Sequence, residues 1–291
     1  MEKGRIDIVL GSKDRPTELG MLLVSLHNQT YQDFDIIILD DASGTPYINH
    51  HFLICIINML KLNNHCVRVI RNEASWGISR MRIQMVKESL KYGRGEYICR
   101  IDDDSILDKD YLKKLIDVID KGYDIATGIV PCAFQPELER ELQFVTPYIS
   151  DIEIDKDGNM LKFGDDCGFS YREEAIIPTP HFRSSCLYKK SIHDKGMMYI
   201  DYLTPSGFRE EEFFSFNAII QGFKIGCHTG AKAYHMLTPS GGDRRTDYNT
   251  LASTNHEMIL EFIKKLSRKH GNFIEDYKKR LKEKGLLWEK V

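Results

Sequence analysis

Through its first 130 residues the chain alternates short apolar runs with helical repeats, and this alternation restricts the fold more than any other feature. Ile6-Asp7-Ile8-Val9-Leu10 reads as a buried strand. Gly11 to Pro16 interrupts it, and Leu19, Leu22, Leu23 and Leu26 then recur at helical spacing. Asp35-Ile36-Ile37-Ile38-Leu39 is a second strand, with a helix over 48–62 after it. Val67-Arg68-Val69-Ile70 is a third, followed by a helix over 78–91. Tyr97 to Ile101 is a fourth, and Tyr111, Leu112, Leu115, Ile116 and Ile119 mark the next helix. Asp124 to Val130 is a fifth strand. Strands in alternation with helices predict βαβ units, hence an α/β fold on a mostly parallel sheet.

Such sheets bind ligands at the carboxyl ends of their strands. Three polar clusters fall there: Gly11-Ser12-Lys13-Asp14-Arg15, Asp40-Asp41, and Asp102-Asp103-Asp104. Their convergence predicts one nucleotide-sized crevice. Three adjacent carboxylates repel one another unless a cation shares their charge. Hard divalent ions such as Mg²⁺ or Mn²⁺ take oxygen ligands and keep positions open for phosphate oxygens. An acidic turn capping the next helix is the alternative. No Gly-x-Gly-x-x-Gly follows the first strand and no Gly-x-x-x-x-Gly-Lys-Ser/Thr occurs, so a dinucleotide-binding dehydrogenase and a P-loop NTPase are disfavoured.

Bulk properties narrow the partners. With 291 residues and a net charge of −3, the chain has no basic field for nucleic acid. Its longest apolar run is too short to span a bilayer, and Met1 to Arg5 carries no secretory apolar region. The seven cysteines are scattered without a Cys-x-x-Cys pair, which predicts reduced thiols and a cytoplasmic chain, with the periphery of a membrane as a second location.

The second half is less regular. Residues 131–209 are proline-rich and read as loops and short strands, with a hairpin turn at Asp155 to Asn159. Glu210 to Gln221 is a helix stopped by Gly222, and strands are expected at 224–227 and 232–235. Residues 237–247 suit a loop, and 252–291 form a basic helical extension. The predicted division is one large domain over 1–251, with a first half (about 1–130) and a second half (about 131–251), then the extension. Ile259, Phe262, Ile263 and Leu266 share one face of that extension. It reads either as a helix docked on the core or as an attachment to an anionic membrane, and its interleaved acids favour docking.

Five pieces in order resemble the GT-A glycosyltransferases, most closely the inverting family 2, over roughly residues 5–236. The opening strand with Arg15-Pro16, Leu19, Leu23, Ser25-Leu26 and Gln29-Thr30-Tyr31 is similar to that family's first strand and helix. Asp40-Asp41-Ala42-Ser43 is similar to its Asp-Asp-Gly-Ser, and Asn72, Gly77 and Arg82 to its Asn-x-Gly…Ala-Arg-Asn block. Gly95-Glu96-Tyr97-Ile98 leads into the Asp-x-Asp, and Glu210-Glu211 with Gly222-Phe223-Lys224-Ile225 corresponds to its Glu-Asp pair and Gly-Tyr-Lys-Ile. Lys13-Asp14 stands where Tyr-Asn is usual, Glu211 replaces the commoner Asp, and Asn217 replaces an Arg.

The resemblance implies a hexosyltransferase-type enzyme of glycan biosynthesis. A sugar moves from a nucleotide-diphospho-sugar to a glycan, lipid-linked or other hydroxyl acceptor, with Mn²⁺ or Mg²⁺ as cofactor. It implies that Asp102 and Asp104 hold metal and donor ribose with Asp103 beside them, that Asp41 reads the nucleobase, and that Gly11, Ser12, Arg15 and Arg82 line the donor site. It assigns Glu211, with Glu210 as the alternative, as general base, and His235 as a third metal ligand against a buried core histidine. Arg244 and Arg245 have the fork geometry to close over the diphosphate, or are a solvated pair. Two other classes remain open: a nucleotidyltransferase on a related sheet, and a sugar-nucleotide-binding relative without catalysis.

Overall fold

A computed structural model of the chain describes residues 1–130, 174–179, 182, 184–199, 210–239 and 241–242, and the backbone of 145–154 and 160–170. The alternation is realised. Strands β1 (Glu2–Ser12), β2 (Phe34–Asp40), β3 (Val67–Arg71) and β4 (Gly95–Ile101) pair in parallel in the order β3-β2-β1-β4. Helices α1 (Pro16–His27), α2 (His51–Leu62), α3 (Ile78–Tyr92) and α4 (Tyr111–Asp120) connect or follow them. Pro16 sits in the first turn of α1, where its missing N–H costs nothing. Both faces of the sheet are covered, so the strands read as continuous apolar runs rather than alternating ones.

In β1, Ile6, Ile8 and Leu10 face α1, α2 and α4, packing with Leu19, Leu22, Leu53 and Leu112. Val9 faces the other way, in a second core with Met81, Met85, Ile98, Tyr188 and Phe214. Fully burying one such side chain is worth roughly 1.5–3 kcal/mol. Gly11 belongs to this second face: a Cβ there comes within 2.2 Å of Met85 Cε and 2.4 Å of Met81 Cε. Close packing against α3 is therefore the physical demand for glycine at position 11.

Beyond β4 the sheet departs from the expected parallel pattern. A three-residue strand, β5 (Ser105–Leu107), follows the acidic run, and β6 (Ile125–Ile129) follows α4. Strands β7 (Val145–Ile154) and β8 (Met160–Ser170) form a separate antiparallel pair, longer than the short strands expected there; the turn predicted at 155–159 lies outside the described residues. β9 (Ile176–Pro178) is an edge strand. β10 (Ser185–Lys189) inserts antiparallel between β4 and β6, and a short 3₁₀ segment over Lys190–Lys195 follows it. α5 (Glu210–Ile220) ends before Gly222, whose φ of 87° is left-handed backbone that glycine adopts without strain. The two strands expected at 224–227 and 232–235 are one, β11 (Ile225–His235), with a register shift between Cys227 and Lys232. Its middle stays extended because Thr229 donates to the Ala175 carbonyl at 2.9 Å and its hydroxyl accepts from Ala175 N at 2.8 Å.

Of the predicted domains, the extension over 252–291 lies outside the described residues. No helix among the described residues is long and apolar enough to cross a membrane. Five described cysteines, Cys55, Cys66, Cys99, Cys186 and Cys227, are free thiols.

Candidate active site

The loops after β1 and β2 are laced together at the carboxyl end of the sheet. Ser12 Oγ lies 2.6 Å from the Tyr47 hydroxyl, which also accepts from Arg15 N at 3.2 Å. Gly44 N donates to Asp14 Oδ1 at 2.7 Å, and Asp14 N to Ser43 Oγ at 2.9 Å. Asp40 is consumed within this frame: it accepts from Ser43 N, Tyr47 N and Arg71 Nη1. Asp41 is buried and accepts from Asn72 Nδ2 and Ser75 Oγ, each at 2.8 Å, and from the Trp76 and Gly77 amides at 2.9 Å and 3.2 Å. It therefore clamps residues 72–77 to the end of β2. A nucleobase N–H has to share or displace one of these donors to reach it.

The acidic run divides its labour. Asp103 accepts from Arg15 Nη1 at 3.0 Å, and the other arm of Arg15 donates to the Thr238 carbonyl at 3.0 Å. Burial pushes the Asp103 carboxyl up to about 6, against the pull of Arg15. Asp104 Oδ2 accepts from Thr238 N at 3.1 Å, while Oδ1 is buried, accepts no well-aligned hydrogen bond and faces His235 Nε2 at 3.0 Å. Burial opposes ionisation of Asp104, but the His235 contact outweighs it and holds the carboxyl below its ordinary range. The β5–β11 ladder makes this meeting possible, because it sets Ser105 opposite His235.

Asp102 is held by Arg82, although His235 also acts on its charge. Its Oδ1 accepts from Arg82 Nη2 at 2.5 Å. Arg82 Nε donates to Glu210 Oε1 at 2.8 Å, so one guanidinium joins the acidic run to the start of α5. Burial works against the charge on Asp102, yet Arg82 and Arg100 more than compensate and lower its carboxyl. For Glu210 the balance falls the other way: burial and the Glu211 charge push it up to about 7 despite the two arginines. Glu210 is 3% exposed and Glu211 21% exposed. Of the two base candidates, Glu211 is the one a substrate can reach.

The expected three-ligand metal set is not assembled as predicted. Among the described residues, no group of three His, Cys, Asp or Glu side chains stands in metal-holding geometry. Asp104 and His235 are adjacent, and the buried Asp104 Oδ1 without an aligned partner fits a cation, but Asp102 is engaged with Arg82. Two protein ligands suffice for ions that complete their shell with phosphate oxygens and water. Arg244 and Arg245 lie outside the described residues. Their loop begins against the site, since Gly242 N donates to the Lys13 carbonyl at 3.0 Å and a Cβ on Gly241 comes within 2.5 Å of Arg15 Cγ.

The residue that sequence reasoning missed is Arg100, 1% exposed one residue before the end of β4. Its signal was present: a cation inside the apolar run Tyr97-Ile98-Cys99-Arg100-Ile101 requires buried acids as partners.

The chain matches the glycosyl transferase family 2 description over residues 7–177, which takes in β1 through β9 and the acidic run. Among curated proteins it is 28% identical over 120 residues to an uncharacterized glycosyltransferase of Haemophilus influenzae, covering 41% of this chain and 36% of that protein. It is 26% identical over 151 residues to the protein y4gI of Sinorhizobium fredii, covering 48% of this chain and 16% of that one. The chain thus spans well under half the length of these relatives. Among solved structures it superposes on Staphylococcus aureus TarS 1–349 in complex with UDP-GlcNAc with a TM-score of 0.57 at 14% identity, covering 84% of this chain and 61% of that one. It superposes on GalNAc-T7 with UDP, GalNAc and Mn²⁺ with a TM-score of 0.64 at 13% identity, covering 88% and 48%. At these identities the structures speak for the fold, a curled and mostly parallel GT-A sheet. Strand order, the acidic run at the end of β4 and the extent of the sequence match together assign the chain to glycosyl transferase family 2.

Proposed function

We propose that this chain transfers a sugar from a nucleoside-diphospho-sugar to an acceptor hydroxyl with inversion, assisted by Mn²⁺ or Mg²⁺. The observation that carries the reading is the meeting, at one end of the sheet, of Asp104 with His235 and of Glu210–Glu211 with the start of the acidic run. In this reading the Arg15 loop and the clamped 72–77 segment flank the nucleoside, and Asp41 reads the base by sharing a donor. Glu211 removes the acceptor proton as the hydroxyl oxygen attacks C1, and the bond from C1 to the diphosphate oxygen breaks. The departing nucleoside diphosphate carries the displaced charge. A cation held by Asp104 and His235 supplies Lewis-acid neutralisation of that charge. The UDP in both structural neighbours makes uridine the first donor base to test.

The acceptor is a glycan, lipid-linked or other hydroxyl compound, and peripheral membrane association belongs with the lipid-linked case. Incubation with UDP-, GDP-, CDP- and dTDP-sugars, with Mn²⁺ and with chelator, tests the assignment by nucleoside diphosphate release. Turnover that needs the cation, and falls on the order of 100-fold or more in Asp104→Ala, supports it. Release of pyrophosphate from a nucleoside triphosphate instead overturns it.

A further inference from the structure

We infer that Arg100 is a positioning residue of the transfer reaction, a rigid bridge that fixes the Glu211 carboxylate relative to the donor-side Asp102. The inference rests on the transferase reading and assigns a role to a group which that reading does not use. Arg100 Nη1 lies 2.7 Å from Glu210 Oε1, 3.4 Å from Glu211 Oε1 and 3.9 Å from Asp102 Oδ1. Its Nη2 makes a second 3.4 Å contact with Glu211. One planar guanidinium thus touches the first acid of the run after β4 and both acids that open α5. A fork of fixed shape transmits position, which a flexible ammonium does not. The Phe182 ring, centred 5.4 Å from the guanidinium carbon, backs this arrangement.

Charge compensation alone does not account for the geometry. Up to about pH 7 Glu210 holds its proton, so Arg82 and Arg100 balance Asp102 and Glu211, and a balanced count does not by itself require one guanidinium to touch all three carboxyl groups. The other ionisable neighbours of Arg100 do not supply charge: burial raises Cys186 to about 12 and holds the Tyr188 and Tyr199 hydroxyls well above their ordinary range. Glu210 is enclosed by both guanidiniums. The two network acids with solvent access are Asp102 at 18% and Glu211 at 21%, one on each side of Arg100. Arg100 therefore sets the spacing of the two carboxylates at the rim.

Steady-state kinetics of the full chain on a UDP-sugar that the wild type transfers provide the test. Arg100→Lys keeps the charge but not the fork. It is expected to lower kcat roughly 10- to 100-fold with donor KM changed less than about threefold, since small misplacement of a reacting group acts on the barrier and not on donor binding. The double variant R100K/E211Q is expected to be no slower than E211Q alone, because both changes disable one function. Wild-type kcat in R100K, a raised donor KM at unchanged kcat, or losses that multiply in the double variant each overturn the assignment. Should R100K fail to fold, Glu211→Asp asks the same question from the rim: retracting the carboxylate from Arg100 has to reproduce the kcat loss at constant donor KM. An E211D enzyme as fast as wild type overturns the proposal. A wild-type chain that turns over no nucleotide-sugar removes the transferase reading itself, whereas wild-type turnover with an unaffected R100K removes only the role of Arg100.

Discussion

Asp7 and Glu210 are buried carboxylates facing buried cations at opposite ends of the same sheet, and their surroundings differ. Asp7, 0% exposed, accepts from Gly95 N at 2.8 Å and Ser89 Oγ at 2.7 Å and pairs with Lys190 Nζ at 2.5 Å. The backbone closes round it so tightly that a Cβ on Gly93 comes within 1.7 Å of its Oδ2, and one on Gly95 within 2.8 Å of its Oδ1. Lys190 is satisfied as well, donating to the Ser89 and Gly93 carbonyls. At the other end, Glu210 Oε2, Arg100 Nε and Asp104 Oδ1 are buried without hydrogen-bond partners. The carboxyl group and the ammonium are fully paired around Asp7, whereas buried atoms of the candidate site are left without a partner. Unsatisfied buried polar atoms cost stability, so a cluster of them marks a site whose partner arrives from outside.

Four experiments can break or sharpen that contrast. The largest effect is expected from Glu211→Gln, which should cut kcat by on the order of 10²- to 10⁴-fold while shifting unfolding free energy by less than about 0.5 kcal/mol. Urea denaturation alongside kinetics measures both. A matching stability loss would place Glu211 with the structural acids. Asp7→Ala should do the reverse, destabilising the chain by about 3–5 kcal/mol because Lys190 is left buried and unpaired, with kcat per folded molecule unchanged.

Glu210→Gln should alter the pH dependence of stability. The folded chain holds the Glu210 proton up to about 7, above the 4.5 of an ordinary glutamate. Within that window it binds more protons than the unfolded chain, so this group makes stability fall as pH rises. Replacing it should flatten the slope of unfolding free energy between pH 5 and 7, by roughly 1–3 kcal/mol across the window. An unchanged slope would show that the two arginines keep Glu210 ionised and that the two ends of the sheet are closer in character than described. The smallest effect is expected from Gly11→Ala: overpacking against Met81 and Met85 should cost about 1–3 kcal/mol, with donor affinity unaltered in calorimetry. A lost donor affinity at full stability would return Gly11 to the donor site.

These contrasts also show what the sequence discloses. Strands β1, β2, β4 and β6 are legible because a strand buried on both faces is a near-continuous apolar run, β3 because its valines and isoleucine stand among exposed arginines at the sheet edge, and the helices between them carry their own periodicity. β5 and β10 are not legible: three and five residues have no period, and both are held by pairing with segments more than 70 residues away. The candidate site is half legible for the same reason. The acidic run and Glu210–Glu211 stand out as local clusters. The meeting of Asp104 with His235 depends on the ladder between β5 and β11. Gly11 is ambiguous in sequence because glycine after a strand is equally the mark of a phosphate loop and of a close helix, and the two methionines show that the second demand is present. Asp41 has the sequence of a base reader, yet its four donors belong to the backbone and side chains of 72–77.

The antiparallel setting of β10 has one more consequence. β6 ends at Ile129 and β10 begins at Ser185, where Ser185 pairs with Ile101 one residue before the acidic run. Both attachment points of the intervening polypeptide therefore sit at the carboxyl end of the sheet, beside the acidic run. Additions or deletions within that excursion would therefore alter the border of the candidate site while β4, β6 and β10 keep their register.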